Sequence, residues 1–189
     1  MAELTPVAAK PKLFSDLRVL VIEDDRQMRL LFKTMLETMN IRNVFEAVDG
    51  HGGLQLMMSN VIDVVICDLT MRPMDGIEFT TLLRRAQNSP SRYCPVIMVT
   101  GNATAATVAK ARDCGINEFA AKPVAPGTLK ARIEAAIARP RPFIQSTDYF
   151  GPDRRRVARP FDGEDRRENE PEDAPAPKPD PTAAKPKTE

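Results

Sequence analysis

Polar side chains close several apolar runs of the chain. Glu23, Asp24 and Asp25 end "RVLVIEDD"; Asp68 ends "VVICD"; Thr100 and Gly101 end "VIMVTG"; Lys122 and Pro123 end "EFAAKP". Carboxylates brought together repel one another and lose hydration, so they call for a cation. A set of hard oxygen ligands with open positions suits Mg²⁺. A lysine and a hydroxyl nearby would then bind an anionic oxygen. Carboxylate, Mg²⁺, Lys and Thr together make a site for a phosphoryl group carried on one carboxylate.

A second set of chemistry-bearing residues lies near the C-terminus. "YFGPDRRRVARPFDGEDRR" states one pattern twice at a period of 12 residues: Tyr149-x-Gly151-x-Asp153-Arg154-Arg155 returns as Phe161-x-Gly163-x-Asp165-Arg166-Arg167. That period is too short for a folded repeat unit. An Arg fork matches guanine O6 and N7, and a second Arg can stack on a base or pair with phosphate. Asp only accepts, which matches the guanine N1–H and N2–H donors. Glycine lets backbone come close, and the aromatic offers a stacking face or an anchor on the protein. Two such units suit a ligand with duplicated guanines and phosphates, and cyclic di-GMP is one.

These residues can meet only if the elements between them bring them together. "LRVLVIEDD" and "VIDVVICDL" read as strands buried on both faces. "NVFEAVDG", "CPVIMVTG" and "INEFAAKP" complete five strands. Between them, "RQMRLLFKTMLETMN" places Met28, Leu31, Phe32, Met35, Leu36 and Met39 at helical spacing. "HGGLQLMMSN", "DGIEFTTLLRRAQN", "NATAATVAKARDCG" and "APGTLKARIEAAIA" supply the other helices, with Gly115 ending the fourth. The alternation predicts an α/β fold, a (βα)5 doubly wound parallel five-stranded sheet of flavodoxin-like type with helices on both faces. Ligands of such sheets bind outside the carboxyl ends of the strands, where the polar residues fall.

The predicted organisation is a disordered arm over 1–14, the α/β domain over 15–139, an arginine-rich extension over 140–169 and a disordered tail over 170–189. The last 19 residues hold six prolines and no large apolar side chain, too little to offset ordering entropy. The formal charge of +1 suggests no polyanionic partner for the whole chain, whereas eight arginines between Arg139 and Arg167 make the extension a basic patch. Cys67, Cys94 and Cys114 lack metal or redox spacing and read as reduced core thiols. The single histidine, His51, reads as solvated. With no signal-peptide core and no membrane-length apolar run, a cytoplasmic protein without membrane insertion is expected.

"VLVIEDD", "VVICDLTMRPMDG", "VIMVTG" and "EFAAKP", in this order, resemble the CheY-like receiver domain of response regulators over about residues 15–139. The resemblance implies Asp68 as phosphoacceptor and Asp24 as direct Mg²⁺ ligand. It implies Glu23 as an assisting ligand and the carbonyl of Thr70 as the remaining protein ligand. Thr100 and Lys122 would hold phosphoryl oxygens, and Phe119 falls at the aromatic switch position. It further implies a histidine kinase or phosphotransfer protein as partner. Phosphotransfer and autodephosphorylation on the chain itself would be its only chemistry, so a metabolic enzyme is not expected. One departure is Arg72, which stands where many receivers carry proline; proline follows as Pro73, and the expectation is a reshaped loop with the site retained.

The "GPDRR" and "GEDRR" cores of about 148–167 are similar to the arginine-rich extension of Cle-type cyclic di-GMP effectors. That resemblance implies cyclic di-GMP as ligand and a flagellar motor switch protein as a partner. Glu164 replaces the proline of the first copy and adds a negative charge. No DNA-binding domain follows the receiver motifs, so output is expected through protein contact, without DNA. The alternatives are a phosphorelay shuttle with an idle tail and an RNA-binding receiver.

Overall fold

The computed structural model describes residues 3–4, 14–87 and 89–154, all within the unit Met1–Arg156. Strand β1 is the two-residue Glu3–Leu4. The alternating series then runs β2 (Arg18–Ile22), α1 (Arg26–Thr38), β3 (Asn43–Ala47), α2 (Gly50–Ser59), β4 (Val64–Asp68), α3 (Gly76–Arg85), β5 (Val96–Thr100), α4 (Ala105–Asp113), β6 (Glu118–Ala121) and α5 (Pro126–Ala138). Two further strands, β7 (Phe143–Gln145) and β8 (Phe150–Pro152), follow the last helix. Among the described residues no helix is long and apolar enough to cross a membrane.

Strands β2 to β6 form one parallel sheet in the order β3-β2-β4-β5-β6. Every residue of β4 and β5 is buried, as expected of inner strands covered on both faces. Because side chains alternate across a strand, each strand feeds two cores. Val19, Val21, Val64, Ile66, Ile97 and Val99 pack with Phe32 and Leu36 of α1 and Leu129 and Ile133 of α5. Leu20, Ile22, Val65, Cys67, Val96 and Met98 pack with Met57 of α2, Phe79 and Leu83 of α3 and Ala111 of α4. This is the expected doubly wound sheet. Cys67 and Cys94 are buried free thiols whose ionisation is pushed up by burial, Cys94 to about 12.

Side-chain caps fix the starts of α1 to α4, whereas α5 opens on Pro126 without one. Asp25 accepts from Met28 N at 2.8 Å, Asp49 from Gly52 N at 2.8 Å and Thr104 from Thr107 N at 3.2 Å. Asp75 and Glu78 form a reciprocal capping box at the head of α3. Leu31, at helical spacing with Met28 and Met35, is 44% exposed, so the buried face of α1 is narrower than its apolar pattern. His51 is exposed on α2.

The series of elements legible in the sequence stopped at α5, but the chain makes a hairpin beyond it. Strands β7 and β8 pair antiparallel, with Gln145 opposite Phe150 and Phe143 opposite Pro152. Strand β1 adds to the free edge of β7, with Glu3 opposite Ile144. The residues 155–189, including Arg155 and the second copy of the motif (Phe161, Gly163, Asp165, Arg166 and Arg167), lie outside the described residues.

Candidate functional site

Sheet register decides which polar residues meet. Ile22 is level with Cys67, Asp68 with Val99, and Thr100 with Ala121. The residues just past these pairs, Glu23, Asp24, Asp68, Thr100 and Lys122, therefore share one end of the sheet. Of the three consecutive acids after β2, Asp25 is spent capping α1. Glu23 and Asp24 remain for the site, and one oxygen of each lies with one of Asp68 in a group within 4.8 Å of one another.

Lys122 bridges this group. Its Nζ lies 2.7 Å from Glu23 Oε2 and 3.0 Å from Asp68 Oδ2. Glu23 is 1% exposed and Asp68 6%. Burial raises the Glu23 carboxyl above the ordinary range; the Lys122 hydrogen bond opposes the rise, and the charges of Asp68 and Asp24 add to it. Burial works against the Lys122 ammonium, yet its hydrogen bonds to Glu23 and Asp68 outweigh that and raise it. Lys122 is therefore a fixed cation at neutral pH, facing more carboxylate than it can neutralise. Arg29 holds the backbone under Glu23, donating from Nη1 to the Glu23 carbonyl at 2.8 Å.

Thr100 is buried, and its Oγ1 accepts from Asn102 N at 3.1 Å. That leaves its proton free to donate. Phe119 lies on β6, half-buried against the core on the α3 and α4 side of the sheet. Thr70 is exposed in the loop after β4. This loop carries the Arg72-for-proline departure: Arg72 and Pro73 are exposed, joined by a cis peptide, while Met71 and Met74 are buried on either side. The acids converge all the same. Gly76 explains the spacing from Asp68 to the head of α3. A Cβ there would lie 2.3 Å from the Asp68 carbonyl oxygen, a backbone atom that cannot step aside.

The first copy of the repeated motif is built into the hairpin at the opposite end of the sheet. Tyr149 donates to the Pro152 carbonyl at 2.8 Å, and burial raises its phenol. A Cβ on Gly151 would lie 2.9 Å from Gly115 Cα, so bare backbone meets bare backbone where α4 ends; Gly115 itself has φ +98°. Arg154 lies 4.1 Å over the Tyr149 ring and 3.3 Å from Asp113. The Asp153 backbone is gripped at both ends, its N–H donating to Pro142 O and its carbonyl accepting from Arg141. Tyr93, Phe143 and Phe150 form a triangle with centroids 5.2 to 5.4 Å apart. Each such aromatic pair is worth roughly 0.5–1.5 kcal/mol beyond its burial.

Two arginines escape notice in the sequence and hold this region together. Arg84 is 3% exposed. It donates from Nε to Gly115 O at 2.9 Å, from Nη1 to Arg92 O at 2.6 Å and Cys94 O at 2.9 Å, and from Nη2 to Asn117 Oδ1 at 3.1 Å. Burial lowers its pKa to about 10, so it stays charged. Its one signal is position: Gly76, Phe79, Thr80, Leu83 and Arg84 together form the buried face of α3. Arg141, counted in the sequence only as part of a basic patch, clips β8 to the start of β6 through the carbonyls of Asp153, Ile116 and Asn117.

Comparison with known proteins follows the same division. Chemotaxis protein CheY-3 of Vibrio cholerae is 28% identical over 127 residues, 67% of this chain and 96% of its own length. Chemotaxis protein CheY of Pseudomonas aeruginosa is 29% identical over 123 residues, 65% of this chain and 98% of its own length. Among solved structures, the Francisella response regulator 1452 receiver domain superposes with a TM-score of 0.59 at 28% identity, over 66% of this chain and 98% of that one. Residues 19–134, which hold the acidic site and stop short of the hairpin, match the response regulator receiver domain, and the chain belongs to that family.

Proposed function

We propose that the chain is a phosphoryl-accepting response regulator whose arginine-rich extension also binds cyclic di-GMP. The observation that carries the first half is Lys122 set between Glu23 and Asp68 beside Asp24. Three carboxylates on one ammonium leave uncompensated negative charge, which fits a hard divalent cation such as Mg²⁺. Glu23, Asp24, Asp68 and the Thr70 carbonyl would hold it, and the cation would supply charge neutralisation at the phosphoryl oxygens.

The protein's own groups divide the remaining work. Asp68 supplies the nucleophile: one carboxylate oxygen bonds to phosphorus while the donor group departs with the electrons of its own bond. Lys122, fixed in its charged form, and Thr100, with its proton free, hold phosphoryl oxygens. A histidine kinase or phosphotransfer protein supplies the phosphoryl group. The chemotaxis relatives favour an output by protein contact, with a flagellar motor switch protein as its target. Phe119, on β6 three residues before Lys122, would report the change. The chemistry is confined to the chain's own carboxylate, so the protein is a signalling component rather than a metabolic enzyme, acting in the cytoplasm.

The decisive test is incubation with acetyl phosphate, with and without Mg²⁺. The expected result is Mg²⁺-dependent, base-labile label on the chain. Absence of label with acetyl phosphate and with every kinase tried would leave a folded receiver that is never phosphorylated.

The nucleotide half rests on the guanine-matching chemistry of the repeated motif. Arg166→Ala is expected to weaken cyclic di-GMP binding roughly 5- to 150-fold, since one bidentate Arg–guanine pair is worth about 1–3 kcal/mol; Arg154→Ala should weaken it less, because Arg154 must leave Asp113 to pair with a guanine. Asp165→Ala should also weaken it, although the change removes a negative charge near an anion. Calorimetry that shows no binding at tens of micromolar ligand would favour the phosphorelay shuttle. Binding with a steep salt dependence and no guanine preference would favour RNA.

A further inference from the structure

A cleft of about 630 Å³ opens where the end of α3, the end of α4 and the hairpin turn meet. It lies at the amino ends of β5 and β6, away from the acidic site at their carboxyl ends. Its size is in the range of small-molecule sites. Arg84, Arg85 and Arg92 all line it, and they are not equivalent.

Arg84 is consumed by its four acceptors. Arg85 is exposed at the last turn of α3 and makes no hydrogen bond or ion pair among the described residues. The Arg92 guanidinium carbon lies 3.4 Å from the centroid of the Phe150 ring. At that distance the group must lie flat, because a tilted guanidinium would drive a nitrogen into the ring. One face is therefore covered by Phe150. The Tyr93 ring lies farther off, at 5.8 Å, and among the described residues Arg92 Nε is shielded and donates to no acceptor. A planar cation stacked on an aromatic is a platform on which a base can stack in turn. The Tyr149 ring already carries Arg154 over one face.

The cleft also carries acid. Asp113 is held by Arg154 at 3.3 Å. Asp148, on the hairpin turn, is exposed and has no hydrogen-bond or ion-pair partner among the described residues. A purely basic cleft would take any polyanion. A carboxylate acceptor beside two unspent arginines suits a ligand with N–H donors on one edge and phosphate on another, as in a guanine nucleotide.

We infer that this cleft binds one guanylate unit of the ligand, with the base stacked on Arg92, the phosphate on Arg85 and the guanine N–H donors on Asp148. The inference rests on the cyclic di-GMP reading and extends it to residues outside the repeated motif. The receiver domain would then be part of the nucleotide site.

Calorimetry of the full chain with cyclic di-GMP tests this with Arg85→Ala, Asp148→Ala and the distant charge control Lys130→Ala. Arg85 and Asp148 are exposed, so unchanged melting curves will show that the variants are folded. Arg85→Ala and Asp148→Ala should each weaken binding roughly fivefold or more, with Lys130→Ala within about twofold of wild type. If wild type binds and both cleft variants bind equally well, the cleft is overturned and the nucleotide reading stands. If Asp148→Ala binds more tightly and inorganic pyrophosphate competes as well as cyclic di-GMP, the cleft is a plain anion patch and the guanylate assignment fails. If wild type does not bind cyclic di-GMP, both readings fall together.

Discussion

Asp68→Asn should reduce phosphoryl label to background while leaving the fold intact. The amide keeps the shape and an acceptor oxygen for Lys122 but has no anionic oxygen to attack phosphorus. The variant should also melt no lower than wild type in the absence of divalent cation. Wild type gathers three carboxylates, two of them on the Lys122 ammonium, and the variant keeps only two in all. Relief of like-charge repulsion offsets the weaker hydrogen bond to Lys122. Added Mg²⁺ should then separate the two chains. A ligand at ten times its Kd stabilises the folded state by about 1.4 kcal/mol, and the variant, with one carboxylate fewer, should gain less. Differential scanning calorimetry with and without Mg²⁺, run beside the labelling assay, reads both effects. Equal labelling of the two chains would mean that the acceptor is another residue.

Arg84→Met should cost about 3–5 kcal/mol of folding stability, the largest loss expected of any single change on the hairpin side. Methionine fills much of the space but abandons four acceptors. Each buried acceptor left unpaired costs roughly 1–3 kcal/mol, and a vacated site that admits water lowers the sum. Asn117 Oδ1 keeps its bond from Val96 N at 3.1 Å, so it suffers least. The loss is a large part of a typical domain's stability. Urea denaturation should show the midpoint falling, and limited proteolysis should show cleavage in the hairpin turn at residues 146–149 rising with it. A variant as stable as wild type would mean that Arg84 is merely tolerated in the core, since a buried charge can often be replaced by a well-packed apolar side chain without loss.

The receiver end of the molecule was legible in the sequence because its information is local. Apolar runs closed by acids specify inner parallel strands, and a parallel sheet places all their carboxyl ends on one side. That is enough to gather Glu23, Asp24, Asp68, Thr100 and Lys122 with no knowledge of helix packing. The hairpin end was not legible. "PFIQSTDYFGPD" is short, carries proline and polar residues, and alternates weakly. Nothing in it reports that Tyr93 and Arg84, dozens of residues earlier, offer Phe143 and Phe150 a ring to pack on and a cation over the Phe143 ring. The aromatic, Gly and Arg of the first motif copy read as ligand-binding groups, yet Tyr149, Gly151 and Arg154 already make contacts within the chain.

What the sequence determined by itself is the element series from β2 to α5, the strand ends and hence the identity of the acidic site. Those follow from side-chain period and from the chirality of parallel crossovers, which leave few other arrangements. What only the tertiary structure decided is the partition of like residues into different jobs. Asp25 caps a helix while Asp24 faces the site. Arg84 is buried and saturated, while Arg85, its neighbour in the chain, is exposed and makes no ion pair among the described residues. The reason is physical: a charge's role depends on its solvation and on which acceptors lie within about 3 Å. Those are set by atoms distant in sequence.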